Sequence, residues 1–202
     1  MSGTALLLVV ITTAVQVFTV HGATGRWFAL SPAAPGGALG RGPDRTVTYA
    51  TLGGEQLKAD LYLPKASPAA PLVVSIHGGG FISGSRGRTP YTSWLADNGY
   101  AVLDVDYRLG SASAHTWNTA DQITPAAPPT LMFQGSRDHL VHADHTKAFA
   151  DKLTAAGITN RYVEIPFLDH AYDSSSLNIG TSATRALMLP WLQKYVGAGA
   201  SR

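Results

Sequence analysis

Cysteine is absent from all 202 residues of the chain, and charged residues make up only 14% of it. The first absence excludes disulfides, thiolate metal ligands and a cysteine nucleophile. The second, with a net charge of only +2, leaves no long basic face, and no motif of a nucleic-acid reader is present. We therefore expect no nucleic-acid partner. The length suits one domain with a terminal extension.

Charge is also missing from an apolar stretch near the N-terminus, residues 5–20. No Lys or Arg precedes this stretch, and it is shorter than the roughly 20 residues that span a bilayer comfortably. It is typical of a membrane anchor, of a cleaved export signal, or of a buried element, so we expect a membrane-anchored or secreted protein. The division that follows is an apolar membrane or export segment (1–23), a Gly/Pro/Ala-rich linker (24–44) and a folded domain (45–202).

A glycine-rich sequence, His77-Gly78-Gly79-Gly80-Phe81, follows an apolar run that predicts a buried strand. Glycine permits the close approach and the unusual backbone dihedrals that a side chain would block. Two backbone N–H groups aimed at one point can bind a developing oxyanion, so we identify Gly78, Gly79 and Gly80 as a candidate oxyanion hole. The alternative is a glycine-rich turn that leads into a helix.

Three further motifs follow in order: Asp104–Leu109 (D-V-D-Y-R-L), Pro129–Asp138 and Phe167–Tyr172. Together with the glycine-rich sequence they resemble the hormone-sensitive-lipase-like branch of the α/β-hydrolase fold, over roughly residues 45–196. The resemblance implies a mostly parallel sheet with flanking helices. Alternating residues on both sides of Gly53-Gly54 add an N-terminal antiparallel hairpin.

One element of that family is missing, because no G-x-S-x-G pentapeptide occurs anywhere in the chain. In the family this pentapeptide carries the nucleophilic serine on a sharp strand-to-helix turn. The segment 110–128 is too short for the helices and strands that the family places there, since one crossover alone needs about ten residues or more. We therefore predict a reduced α/β-hydrolase fold with an internal deletion near 110–128. We also expect the strand 131–134 to pair directly with the strand 73–76.

The acid and the base of a hydrolase triad are both present in the order that the family uses, Asp138 and then His170. A carboxylate that accepts the imidazole N–H fixes the tautomer, and the other ring nitrogen is then able to take a hydroxyl proton. Taken singly, each residue fits a structural role as well, because Asp is common as a cap or turn residue. Their joint placement favours a catalytic pair.

The nucleophile is harder to assign. Ser111 lies at the centre of Leu109-Gly110-Ser111-Ala112-Ser113, which only partly resembles the missing turn, and Ser113 is the next candidate. Ser85 belongs to the glycine-rich loop, where a helix-capping role is expected. We select Ser111 as the candidate nucleophile.

Metal chemistry offers an alternative, since three histidines and two aspartates occur within residues 138–145. Imidazole and carboxylate groups are suitable ligands for zinc or nickel. A solvated loop and helix start explains the same residues, and we expect neither a metal nor another cofactor.

The resemblance thus implies a carboxylic ester hydrolase, of the esterase or lipase type, that acts on small-molecule esters with short acyl groups. The alternative is a catalytically impaired remnant, or a ligand-binding module, that lacks the nucleophile. Membrane association through residues 5–20 is an expectation of its own, and the sequence leaves the oligomeric state open.

Overall fold

The computed structural model describes residues 40–65, 70–110, 123–174, 176 and 179–197. These ranges form six strands and three helices. The elements in chain order are β1 (Arg45–Leu52), β2 (Glu55–Tyr62), β3 (Leu72–Ile76), α1 (Thr92–Asp97), β4 (Ala101–Val105), β5 (Thr130–Gly135), α2 (Ala143–Ala155), β6 (Asn160–Ile165) and α3 (Ile179–Tyr195).

The first sheet has four strands in the order β1-β2-β4-β3. Strands β1 and β2 form the antiparallel hairpin predicted from Gly53-Gly54, and both glycines have the positive φ that such a turn requires. Strand β4 lies between β2, with which it is antiparallel, and β3, with which it is parallel. Within the described residues, β3 is therefore an edge strand.

The second sheet consists of β5 and β6, which pair in parallel from Thr130 opposite Asn160 to Gly135 opposite Ile165. The expected direct pairing of segment 131–134 with segment 73–76 is wrong, because β5 hydrogen-bonds to β6 and belongs to a different sheet from β3. Strand β5 is held against the rest of the protein by packing on the core that includes α3, and not by hydrogen bonds to β3.

The core joins the two sheets through α3. Its fully or nearly fully buried side chains come from β2, β3, β4, α1 and the residues around α1, together with two from α3, Met188 and Leu192. Leu131 and Phe133 of β5 pack against this cluster. Burial of apolar side chains of this size contributes about 1.5–3 kcal/mol each, so a shared core is able to fix both sheets without a strand between them.

The N-terminal segment 1–23 and most of the linker 24–44 fall outside the described residues. In the part of the chain that the structure does describe, no helix combines the length and the hydropathy needed to cross a membrane.

Candidate active site

Strands β5 and β6 end side by side, and the loop after each strand carries one of the two predicted catalytic residues. Asp138 follows β5 and His170 follows β6, as the order of the motifs predicted. The Nδ1 of His170 lies 2.9 Å from the Oδ2 of Asp138. Both side chains are mostly buried, with 18% of the His170 side chain and 7% of the Asp138 side chain exposed. The structure therefore brings the predicted acid and base together.

Asp138 is held as a carboxylate by several donors. Its Oδ1 accepts hydrogen bonds from the backbone N–H groups of Leu140 (2.9 Å) and Val141 (2.8 Å). Its Oδ2 accepts one from Nε2 of Gln134 (2.9 Å) and one from His170. Burial by itself would raise the pKa of Asp138, but the backbone donors and His170 outweigh it, and the net pKa lies below its usual value. The carboxyl group is thus ionised and oriented at neutral pH.

The opposite ring nitrogen of His170, Nε2, is buried and has no hydrogen-bond partner among the described residues. A buried polar atom without a partner is rare in folded proteins, and such atoms occur at catalytic positions. In a Ser-His-Asp arrangement, this is the nitrogen that takes the proton from the nucleophile. Nε2 of His170 makes no hydrogen bond to a described residue that would compete with this role.

His139 and Asp169 form a second pair between the same two loops, with the roles exchanged: the loop after β5 provides the histidine and the loop after β6 the aspartate. We call the two pairs crossed for this reason. The Oδ1 of Asp169 lies 2.6 Å from Nδ1 of His139 and also accepts the backbone N–H groups of His139 (3.1 Å) and His170 (2.6 Å). Burial opposes ionisation of Asp169, but these donors lower its pKa overall. Asp169 therefore joins the backbone of the loop after β5, which carries Asp138 (the acid loop), to the backbone of the loop after β6, which carries His170 (the histidine loop). The local sequence pattern did not predict this crossed arrangement, because His139 and Asp169 are 30 positions apart.

The histidines of the alternative metal site do not converge on one point. His139 is paired with Asp169, while His142 and His145 stack with their ring centroids 6.0 Å apart. Among the residues that the structure describes, no three His, Cys, Asp or Glu side chains are grouped so that they could hold a metal ion.

The glycine-rich loop after β3 adopts a backbone that only glycine takes readily. Gly79 and Gly80 have φ values of +120° and +60°. The carbonyl of Gly79 accepts the N–H groups of Ile82 and Ser83, both at 3.1 Å, so the loop closes on itself. A Cβ at Gly79 would overlap the carbonyl oxygen of Ser83. The structure thus requires glycine at this position of the candidate oxyanion hole.

Residues of the D-V-D-Y-R-L motif contact the glycine-rich loop and the segment that follows it. Asp106 accepts the backbone N–H of Arg86 (3.0 Å) and forms an ion pair with its guanidinium group, while Asp104 accepts the N–H of Gly87 (2.6 Å). Tyr107 stacks on the ring of His77 with 4.3 Å between centroids, and its hydroxyl donates to the His77 carbonyl (3.1 Å). Two of the four motifs therefore form one structural unit.

Ser111, the candidate nucleophile, lies outside the described residues, as does Ser113. The residue before Ser111 is described: the N–H of Gly110 donates to the carbonyl of Phe81 in the glycine-rich loop, at 2.7 Å. Gly110, the last described residue before Ser111, is thus in contact with the glycine-rich loop.

The sequence reasoning missed a partly buried polar cluster close to His170 in the chain. The hydroxyl of Tyr91, a fully buried residue, donates to Oδ2 of Asp173 at 2.9 Å. Tyr172 and Thr184 share a hydrogen bond of 3.0 Å next to it. Burial raises the pKa of Asp173 and raises that of Tyr172 to about 12. The partners are far apart in the chain, so no local pattern indicated the cluster.

Exposed aromatic side chains border these loops. Phe81 and Phe167 are 61% and 75% exposed, and both have a positive φ, of 64° and 66°. This backbone conformation is strained for residues other than glycine, and such strain often accompanies functional sites. The two residues follow β3 and β6, the strands that lead to the glycine-rich loop and to the histidine loop.

A family model and several curated proteins match parts of the chain. The BD-FAE family model matches residues 59–121, a stretch that contains the glycine-rich loop and the D-V-D-Y-R-L motif. Short segments also match curated proteins. These include the non-reducing polyketide synthase stbA of Stachybotrys bisbyi (43% identity, 32% of this chain) and the dipeptidyl aminopeptidase BIII of Pseudoxanthomonas mexicana (48%, 22% of this chain). The chain spans only 3% and 6% of the length of these two relatives.

Solved structures of one esterase resemble a larger part of the chain. Esterase 2 of Thermogutta terrifontis with bound propionate superimposes with a TM-score of 0.65 at 16% identity, covering 78% of this chain and 96% of that one. The same enzyme phosphorylated by paraoxon gives a TM-score of 0.63 over the same shares. The protein therefore has the α/β-hydrolase fold, as the four motifs predicted, and residues 59–121 are similar to the BD-FAE family model.

Proposed function

We propose that this protein is a carboxylic ester hydrolase that acts on small esters with short acyl groups through a Ser-His-Asp mechanism. The observation that supports this most directly is the His170–Asp138 pair, with Nδ1 of His170 bound to the carboxylate and Nε2 buried and unpartnered among the described residues. The similarity to an esterase whose solved forms hold propionate and butyrate supports the choice of substrate class.

The proposed reaction follows from the roles of these groups. Nε2 of His170 takes the proton of the serine hydroxyl as its oxygen attacks the ester carbonyl, and Asp138 stabilises the imidazolium that forms. The backbone N–H groups of the Gly78–Gly80 loop receive the negative charge on the carbonyl oxygen. His170 then returns its proton to the leaving alcohol, and a water molecule repeats the sequence on the acyl-enzyme. Ser111 is the proposed nucleophile, supported by the contact of Gly110 with the glycine-rich loop.

A second candidate function is ligand binding without turnover. Strand β3 is an edge strand within the described residues, at the side where the resembled fold has its serine-bearing strand, and no G-x-S-x-G sequence is present. This function retains the glycine-rich loop and the buried imidazole as a pocket for a carbonyl or carboxylate group. It requires no particular serine.

Labelling with a fluorophosphonate probe separates the two candidates. We expect an adduct on Ser111, located by peptide mass spectrometry, that is lost in His170→Ala and kept in His145→Ala, a matched change of an exposed histidine on α2. An adduct on Ser113 instead would move the nucleophile but keep the reaction. A folded protein that binds butyrate and forms no adduct would establish the binding function and disprove the hydrolase.

A further inference from the structure

The two groups of the proposed site belong to different halves of the molecule. The glycine-rich loop follows β3 of the four-stranded sheet, and His170 follows β6 of the two-stranded sheet. No hydrogen-bonded ladder joins the two sheets within the described residues. The position of the histidine relative to the loop that would bind the oxyanion therefore depends on the shared core and on side-chain contacts between the halves. An error of about 1 Å in such a site costs on the order of 100-fold in rate.

One hydrogen bond lies at the required place. Tyr91 immediately precedes α1, on the segment that continues from the glycine-rich loop. Its side chain is fully buried in the core beside β2, β3 and β4. Asp173 is three residues after His170 in the histidine loop. The Tyr91 hydroxyl donates to Asp173 Oδ2 at 2.9 Å, which links the two halves over 82 positions of sequence.

The tyrosine end of this bond is itself immobilised. Arg185 of α3 donates to the carbonyl of Pro90, and its guanidinium group lies over the rings of Tyr91 (6.0 Å) and Trp94 (5.3 Å). The aspartate end is restrained through the chain, because Tyr172, its neighbour, is hydrogen-bonded to Thr184 of the same helix. A hydrogen bond in a partly buried, low-dielectric site is stronger than one in water, so a bond between two restrained groups transmits position well.

We propose that Tyr91 and Asp173 are positioning residues that set the place of His170 relative to the glycine-rich loop. The proposal rests on the proposed function, since it assumes that the loop and His170 act on one ligand. In the resembled fold a serine-bearing strand lies between these parts of the sheet. Here the Tyr91–Asp173 bond supplies part of the alignment that such a strand would give.

The test uses propionate as the probe and NMR signals of the full-length protein as the readout. In the wild type, propionate should shift both the His170 ring signals and the backbone amide signals of Gly79 and Gly80. Tyr91→Phe and Asp173→Ala should keep the downfield Nδ1–H signal of the His170–Asp138 bond. They should bind propionate about tenfold more weakly, the equivalent of about 1.4 kcal/mol. Propionate should then no longer shift the His170 ring signals and the Gly79 and Gly80 amide signals together, which we call the joint response.

Two variants control for simple loss of stability. Asp173→Asn keeps an oxygen that accepts the Tyr91 hydroxyl, so its propionate affinity should stay within about twofold of the wild type. Tyr172→Phe makes the same chemical change as Tyr91→Phe in the same cluster, but it removes the bond to Thr184 and leaves the Tyr91–Asp173 bond in place. Its joint response should persist.

The outcomes separate the two proposals. Wild-type affinity in Tyr91→Phe, or equal losses in Tyr91→Phe and Tyr172→Phe, would overturn the positioning role. A wild-type protein in which propionate shifts only one of the two groups would overturn it too. A joint response that depends on Tyr91, in a protein that forms no fluorophosphonate adduct, would keep the positioning role and disprove the hydrolase.

Discussion

The Nδ1 of His170 and the Oδ2 of Asp138 lie 2.9 Å apart, although the two residues are 32 positions apart in the chain. Their strands, β5 and β6, are parallel neighbours, so the loops at their carboxyl ends meet at one edge of the sheet. Hydrogen bonds between the loops maintain this meeting: Arg137 N–H donates to the Leu168 carbonyl at 2.9 Å, and Phe167 N–H to the Ser136 hydroxyl at 2.8 Å. The pair is therefore a product of sheet geometry.

Replacing Asp138 by asparagine should reduce turnover much more than it reduces stability. Asparagine fills the same space but favours the wrong imidazole tautomer, and the loss in comparable triads is about 10⁴-fold in kcat. The rate of fluorophosphonate labelling measures the effect, and a urea titration measures the stability. A labelling rate within tenfold of the wild type would show that the carboxylate does not serve His170.

Removing the Asp169 carboxylate should loosen the contact between the acid loop and the histidine loop. Asp169→Ala leaves three N–H donors without their acceptor, but the side chain is 54% exposed and water compensates in part. We expect a loss of about 1 kcal/mol in the free energy of unfolding. Asp151→Ala is the control, since it breaks an exposed ion pair with Lys147 on α2 and should cost well under 1 kcal/mol. Equal losses would contradict the bridging role of Asp169.

Gly79→Ala should disrupt the glycine-rich loop. The new Cβ would overlap the Ser83 carbonyl, at a φ of +120° that L-residues avoid. We expect a loss of about 1–3 kcal/mol in stability together with loss of propionate binding. Gly53→Ala provides the control, because Gly53 also has a positive φ but has no atom within 4 Å of the added methyl group. Its effect should be smaller and should leave propionate binding unchanged.

Stability should fall in acid through Asp138 and Asp169. The pKa of each lies below its usual value of 3.8, so each carboxylate stabilises the folded state above that value. This contribution starts to fall as the pH approaches 3.8 and is lost once the pH passes below the folded-state pKa. Urea titrations between pH 6 and pH 3 should show a smaller dependence in the Asp138→Asn, Asp169→Asn double variant. A wild-type profile in that variant would assign the acid sensitivity to other groups.

Hydrogen exchange should distinguish β3 from β4. Strand β4 has a partner on each side, so its amides should all be protected, whereas alternate amides of β3 should face an unpaired edge and exchange faster. NMR-detected exchange at single residues is the appropriate measurement. Uniform protection along β3 would show that another strand covers this edge, in this molecule or in a second copy.

The comparison of prediction with structure separates local signals from distant ones. Gly53-Gly54 predicted the hairpin because a tight turn and its flanking strands lie within one short window. The motifs around Asp138 and His170 predicted the pair because each follows a strand that is readable on its own. The pairing of β5 with β3 was wrong, since it assumed that neighbouring strands must close over a deletion.

Two contacts of the site could not be predicted at all. The Tyr91–Asp173 bond joins residues 82 positions apart, and each lies in a stretch whose local pattern is explained by a helix start or a loop. The Asp169–His139 contact depends on which loop passes in front of the other, which is a matter of packing and not of residue spacing. The first contact depends on how the two sheets are placed and the second on how two loops of one sheet pack, and neither arrangement has a signature in a single sequence.

The separate two-stranded sheet makes the acid–base half of this protein a continuous piece of chain. Strands β5 and β6, helix α2 and both loops of the crossed Asp–His pairs lie between Thr130 and Asp173. The segment 110–128, where the resembled family carries its serine turn, ends just before that piece begins. A strand–turn–helix cassette with a G-x-S-x-G sequence could therefore be grafted into 110–128 without altering any residue of the pair, which makes this chain a natural acceptor for a transplanted nucleophile.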